Sequence, residues 1–134
     1  MLGYVTIGTN NISKARAFYG ALLSELGMAE LFDNDRLYFY GSAPQGPYVV
    51  VGGPYDKQTA TVGNGMMVAL NCHDNDRIDA MHAKALELGA TDDGAPGERG
   101  SCSAHLLDCC AAEGRAALAL LWCRGGWREG SVVT

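Results

Sequence analysis

Three residues of this chain, Cys102, His105 and Cys109, are of the types that hold zinc, because thiolate and imidazole both suit that ion. Their spacing, C-x2-H-x3-C, matches no established site layout and leaves the fourth ligand missing, so ordinary strand positions are the competing reading. The vicinal pair Cys109-Cys110 reads either as a redox couple or as two plain strand residues. A Cys–His nucleophile would need a thiol beside an imidazole and a third group to orient it, and no spacing here arranges one. His82 falls beside the apolar stripe of a helix and His73 at a strand end, positions that suit structural or solvent-facing roles. The run Gly94-Ala95-Pro96-Gly97-Glu98-Arg99-Gly100 neither follows a strand nor opens a helix, so it lacks the context of a phosphate loop and reads as a loop over a cleft. What remains is aromatic. Tyr4, Tyr38, Tyr40 and Tyr48 could form a binding surface, since a phenol ring combines contact area with a hydroxyl that hydrogen-bonds; the same rings would equally fill a sheet face or a dimer contact. Arg36 would anchor an anionic ligand there, or stand exposed at a strand end.

The elements that must position these residues come in two sets. Tyr4-Val5-Thr6-Ile7-Gly8 reads as a strand, Asn10-Asn11 offers an N-cap, and a helix is expected from about Ser13 to Leu26, with Ile12, Ala15, Phe18 or Tyr19, and Leu22 on one stripe. Gly27 stands where a helix end wants a left-handed residue. The same order returns 62 to 63 residues later: Met66–Leu70 as strand, Asp74 as cap, a helix from about Asn75 to Leu88 with Ile78, Met81, Ala85 and Leu88 on its stripe, and Gly89 as stop. Strand candidates Ala29–Phe32, Arg36–Tyr40 and Tyr48–Val51 make the first unit βαβββ, with a turn at Asp33-Asn34-Asp35 and a loop at Gly41–Gly46. The second half offers Ala104–Asp108 and Leu118–Cys123, after a Gly-rich loop at Asp92–Gly100. The Ala116–Trp122 region is expected to be a strand despite its alanines, because losing it would bare a neighbouring strand edge.

Alternation assigns faces. With Val5, Ile7, Leu37, Phe39, Val68 and Leu70 packed under the helices, Tyr4, Thr6, Arg36, Tyr38, Tyr40, Met67, Ala69 and Asn71 fall on the opposite side. That side is aromatic and sparsely charged, as a small-molecule cleft or a second core would be. The candidate ligand-binding residues are therefore Tyr4, Thr6, Arg36, Tyr38, Tyr40, Tyr48, Met67 and Asn71.

At 134 residues with 48% hydrophobic content, the chain is expected to form one α+β domain: a module at about 1–53, a linker at 54–64, a second module at about 65–123 and a tail at 124–134. A net charge of -5 with no basic cluster argues against nucleic acid as a partner. No stretch approaches the roughly 20 apolar residues of a membrane helix. The start lacks a signal-peptide layout, and five cysteines without a C-x-x-C pair suit reduced thiols, so a cytoplasmic protein is expected.

Together, Tyr4–Gly8 with Ala17-Phe18-Tyr19 and Leu26-Gly27, the linker Pro54-Tyr55-Asp56 to Gly63-Asn64-Gly65, and Ala80-Met81-His82 with Leu88-Gly89-Ala90 resemble the vicinal oxygen chelate superfamily, which joins glyoxalases, bleomycin resistance proteins and dioxygenases. The resemblance spans about residues 1–100. It implies two tandem βαβββ modules forming a cup-shaped mixed sheet with helices on the outer face, usually completed in a homodimer. It also implies a metal site in the enzymes, with His or a similar ligand on each module's first strand and Glu on its last. Those first-strand positions fall here on Tyr4 and Met67, neither a fitting ligand for a hard or borderline divalent ion. Tyr48–Gly52 offers no carboxylate, and the second expected Glu falls near Leu118 or Ala119. From Asp108 to Leu118 only Glu113-Gly114 matches the family turn, a departure that divergence or a shifted reading frame would each produce. The resemblance thus implies a metal-free, cofactor-free binder of a small molecule in an aromatic cleft. The alternatives are a metal-dependent lyase, isomerase or dioxygenase, and a structural or regulatory dimer; fold alone does not choose among them.

Overall fold

Alternating β-branched and aromatic residues at Tyr4–Gly8 form β1, and Asn11 closes the turn that follows by accepting the Lys14 N–H on its side-chain oxygen at 3.0 Å. Helix α1 then runs Ile12–Ser24 and ends at Gly27, whose φ of 72° no side chain with a Cβ adopts cheaply; the Met28 N–H reaches back to the Leu23 carbonyl at 3.1 Å. Strands β2 (Ala29–Asp33), β3 (Leu37–Gly41) and β4 (Tyr48–Gly52) follow. The second set repeats the devices. After β5 (Met67–Asn71), Asp74 caps α2 (Asn75–Glu87) by accepting from the Arg77 N–H at 2.7 Å, and Gly89 at φ 91° ends it.

The computed structural model describes residues 1–61, 66–92, 95–98, 104–110 and 117–123, with 97–98, 104–110 and 117–123 described by backbone alone. It is a mixed α+β fold that divides into two compact units between Met66 and Met67. In the first unit the sheet order is β1-β4-β3-β2, with β1 and β4 parallel and the other pairs antiparallel. In the second, β6 (Thr91–Asp92) and β7 (Gly97–Glu98) both pair with β8 (Ala104–Cys110), which lies antiparallel to β9 (Ala117–Cys123). β5 pairs parallel with β9. The alanine-rich segment expected as a strand is therefore β9, and it holds seven residues between two neighbours. The stretch expected as a loop at Asp92–Gly100 contains part of β6 and all of β7, because antiparallel pairing to β8 satisfies backbone groups that a loop would leave to water. Residues 62–65, Cys102 and the tail 124–134 lie outside the described residues. Among the described residues no helix is long and apolar enough to cross a membrane.

The helix side of the first sheet carries most of its core, and Val50, fully buried, lies on the other side. In the first unit Phe18, Tyr19, Leu22 and Leu23 of α1 are buried, as are Ile7, Val49, Val51 and Tyr40 of the strands. Each buried large apolar side chain contributes about 1.5–3 kcal/mol. In the second, Leu70, Cys72, Ile78, Met81 and Ala85 form the core, with the Cys72 and Met81 sulfurs 3.5 Å apart. Phe18, Tyr19, Leu22, Ile78, Met81 and Ala85 of the predicted stripes are buried; Leu23 joins them unpredicted, and Ile12, Ala15 and Leu88 are half-buried, Leu88 just past the end of α2.

Candidate functional site

Register decides which side chains share the open face of the first sheet. Tyr4 stands opposite Tyr48, Thr6 opposite Val50, and Val50 opposite Phe39; next to them β2 places Phe32 opposite Phe39. The rings touch. Phe32 stacks on Phe39 at 4.4 Å between centroids, and Tyr48 meets both edge-on at 5.5 and 6.0 Å. Tyr4 meets Phe39 edge-on at 6.0 Å. Tyr4 is 55% exposed and Phe32 48%, so two large rings of the cluster face solvent in a single chain. The Tyr48 hydroxyl is taken by the Pro44 carbonyl.

The alternation expected for β3 is inverted. Tyr38 and Tyr40 lie on the helix side, opposite Val51 and Val49, and Leu37 and Phe39 lie on the open side. Tyr40 is 2% exposed. Its hydroxyl donates to Glu30 Oε2 at 3.0 Å, while Arg16 of α1 binds the same carboxylate through Nη2–Oε1 at 2.7 Å and Nε–Oε2 at 3.2 Å. Burial, then the bond to Glu30, pushes the Tyr40 hydroxyl up to about 12. The Glu30 hydrogen bond also raises the Arg16 pKa. Above that pair the Arg16 guanidinium lies 4.1 Å from the Tyr38 ring centre. These two tyrosines therefore serve the packing of α1 on the sheet.

Arg36 also departs from expectation. It precedes β3 and donates from Nη1 to the Gly53 carbonyl at 2.7 Å, placing it in the wall of a separate pocket with Thr9 and Lys57. In the second unit Met67, Ala69 and Asn71 are exposed on β5 as alternation predicts, but Asn71 spends its side-chain oxygen on the His73 N–H at 2.9 Å. His82 contacts Asp92 Oδ1 at 3.3 Å. Of the proposed zinc set, His105 and Cys109 fall in β8 four positions apart, and Cys102 is outside the described residues.

Thus Tyr4, Thr6 and Tyr48 share one face. Phe32 and Phe39 were missed because a bulge between Glu30 and Phe32 breaks the alternation of β2 and because β3 carries large rings on both sides. Two phenols and a threonine hydroxyl are a poor donor set for a divalent ion. Among the described residues no three His, Cys, Asp or Glu side chains converge. Leu118 and Ala119, where the last-strand carboxylate of the resemblance falls, lie in β9.

Neither the family models nor the curated proteins contain a match to this chain. Solved structures do match. A glyoxalase/bleomycin resistance protein from Albidiferax ferrireducens T118 is 30% identical with a TM-score of 0.78, covering 90% of this chain and 97% of that one. A putative glyoxalase from Bacillus halodurans is 23% identical, TM-score 0.72, covering 90% and 94%. A glyoxalase/bleomycin resistance protein/dioxygenase family enzyme from Burkholderia phytofirmans PsJN is 16% identical, TM-score 0.69, covering 89% and 95%. The latter two share the fold; the first, at its identity and coverage, shows the family. This chain belongs to the glyoxalase/bleomycin resistance protein/dioxygenase superfamily, also called vicinal oxygen chelate.

Proposed function

We propose that this protein binds a small, planar, largely apolar molecule against Tyr4, Phe32, Phe39 and Tyr48, with Thr6 at the margin, and does so without a catalytic divalent metal. The observation that carries the reading is the contiguous aromatic cluster with Tyr4 and Phe32 about half exposed. Such rings stack on a planar ligand without losing much side-chain freedom, because they are already held by one another. The donor set at Tyr4, Thr6 and Tyr48 supports the metal-free part: two phenol hydroxyls and a threonine hydroxyl are weak ligands for a divalent ion beside carboxylate, imidazole or thiolate.

Two finer readings accompany this one. The parallel β1–β4 and β5–β9 pairs, each enclosing a capped helix, support a tandem of βαβββ modules. Exposed Leu2, Leu31 and Phe32 near the cluster, and Met66 and Met67 at the second unit, support a homodimer that covers apolar surface; its mass by light scattering is expected near twice 14.2 kDa. We read the protein as cytoplasmic on its cysteine usage.

The test is saturation-transfer NMR with indole as the simple planar probe, beside metal analysis of the purified protein. Binding should weaken about tenfold in Tyr4→Ala and in Phe32→Ala. Indole binding that ignores both substitutions would sink the cleft. Near-stoichiometric nickel, zinc, iron or manganese that falls in Tyr4→Phe would sink the metal-free reading and favour a lyase, isomerase or dioxygenase.

A further inference from the structure

Where β1 and β4 end, the first unit holds an open pocket of about 700 Å³. Its size lies within the range of small-molecule sites. It opens where the parallel strands β1 and β4 finish: Thr9 follows β1, Gly53 follows β4, and the Thr9 N–H donates to the Gly52 carbonyl at 3.0 Å, tying the two ends together. The ends of parallel strands are where open sheets leave room for ligands, because the chain must turn away there.

The wall is charged. Arg36 and Lys57 contribute two cations and Asp35 one carboxylate, so the lining is net positive in a protein whose overall charge is -5. Arg36 is held in place: Nη1 donates to the Gly53 carbonyl at 2.7 Å, and the guanidinium lies 5.6 Å from the Tyr55 ring centre. That leaves most of its five N–H donors for another acceptor. Lys57 and Asp35 are two of the three non-glycine residues with positive φ among the described residues, at 60° and 67°. Aspartate tolerates that region; lysine gains nothing local from it. The tight turn enforces it, with the Lys57 N–H on the Pro54 carbonyl at 3.2 Å and the Gln58 N–H on Asp56 Oδ1 at 3.0 Å. Backbone held in a costly region beside a pocket is a pointer to a site. Thr59 adds a hydroxyl and Ile12 an apolar patch, whereas the Thr9 hydroxyl is spent on the Asn11 backbone, donating to its carbonyl at 3.2 Å and accepting its N–H at 3.1 Å.

We propose that this pocket binds a small molecule through an anionic oxygen group, a carboxylate or a phosphate, held by Arg36 and Lys57. It shares no residue with the aromatic cluster, so failure at either site leaves the other standing. The shared chemistry is a compact anion that accepts charge-assisted hydrogen bonds. Asp35 limits the affinity and selects against larger negative charge.

The experiment is an amide NMR titration of the full chain with inorganic phosphate, and separately with acetate, at ionic strength matched by chloride. Saturable shifts of Lys57, Gln58 and Thr9 are expected, with a Kd of about 1–10 mM for such fragments. A phosphate response identifies a phosphoryl ligand and an acetate response a carboxylate; either supports the site. Lys57→Gln should weaken binding about five- to tenfold, the loss of one charge-assisted bond. Asp35→Asn, which keeps a side chain suited to positive φ, should tighten it about two- to threefold. Absence of a saturable response to both anions, or a Kd unmoved by Lys57→Gln, would overturn the proposal.

Discussion

The Tyr40 hydroxyl and the Arg16 guanidinium converge on one carboxylate, Glu30, so a helix residue and a nearly buried strand residue are coupled through an edge strand. The Tyr40 pKa, near 10 when unfolded, stands at about 12 when folded. A raised folded value means the protonated hydroxyl contributes stability that is whole below pH 10 and is lost as pH climbs through 12. In urea unfolding, the wild type is therefore expected to exceed Tyr40→Phe by about 1 kcal/mol at pH 8, with the gap closing between pH 10 and 12. A gap independent of pH would show that folding does not raise the Tyr40 pKa.

Gly52 lies where β4 passes the start of β3. A Cβ there would meet the Arg36 carbonyl and sit 2.5 Å from Leu37 Cδ2. Since the carbonyl cannot yield without moving the strand, Gly52→Ala should cost about 3 kcal/mol, read as a lowered urea midpoint. The same change at Gly3, which has nothing within 4 Å, should be nearly silent.

Asn10 joins the segment after β4 to the turn after β1 through two bonds, Nδ2 to the Ala60 carbonyl at 3.2 Å and Oδ1 from the Ala60 N–H at 2.7 Å. Asn10→Ala leaves both backbone groups of a buried residue without these partners and should cost about 1–3 kcal/mol. Native-state hydrogen exchange should then show the Ala60 amide losing protection first.

Leu22 is fully buried under the sheet and Phe32 is 48% exposed. Leu22→Ala should cost about 2–5 kcal/mol, whereas Phe32→Ala should cost less than about 1.5 kcal/mol. Thermal unfolding of the two variants separates them; equal losses would mean that Phe32 belongs to a core.

Truncation after Gly114 removes β9, which pairs with β5 over five residues and with β8 over seven. Both neighbours would be left with an unpaired edge, so the truncated chain should lose cooperative unfolding by circular dichroism.

Local signals were legible in the sequence because local physics sets them. Asn11 and Asp74 as caps, Gly27 and Gly89 as stops, and the stripes Phe18–Leu22 and Ile78–Met81–Ala85 follow from hydrogen bonds and spacings within a few residues. The open placement of Tyr4, Thr6 and Met67 was legible too, since in β1 and β5 one alternating set is far less apolar than the other. In Leu37-Tyr38-Phe39-Tyr40 both sets are large and apolar, so period two is visible but its phase is not. Only pairing with β4 settled that phase, sending Tyr40 under α1 and Phe39 to the aromatic cluster. Tertiary structure likewise supplied Glu30 as the partner that makes a buried Tyr40 hydroxyl tolerable, from ten residues away across a bulged pairing. It also brought Arg36 to Gly53, because an arginine's reach is decided by which carbonyl the fold sets before it, and that carbonyl lies seventeen residues along the chain.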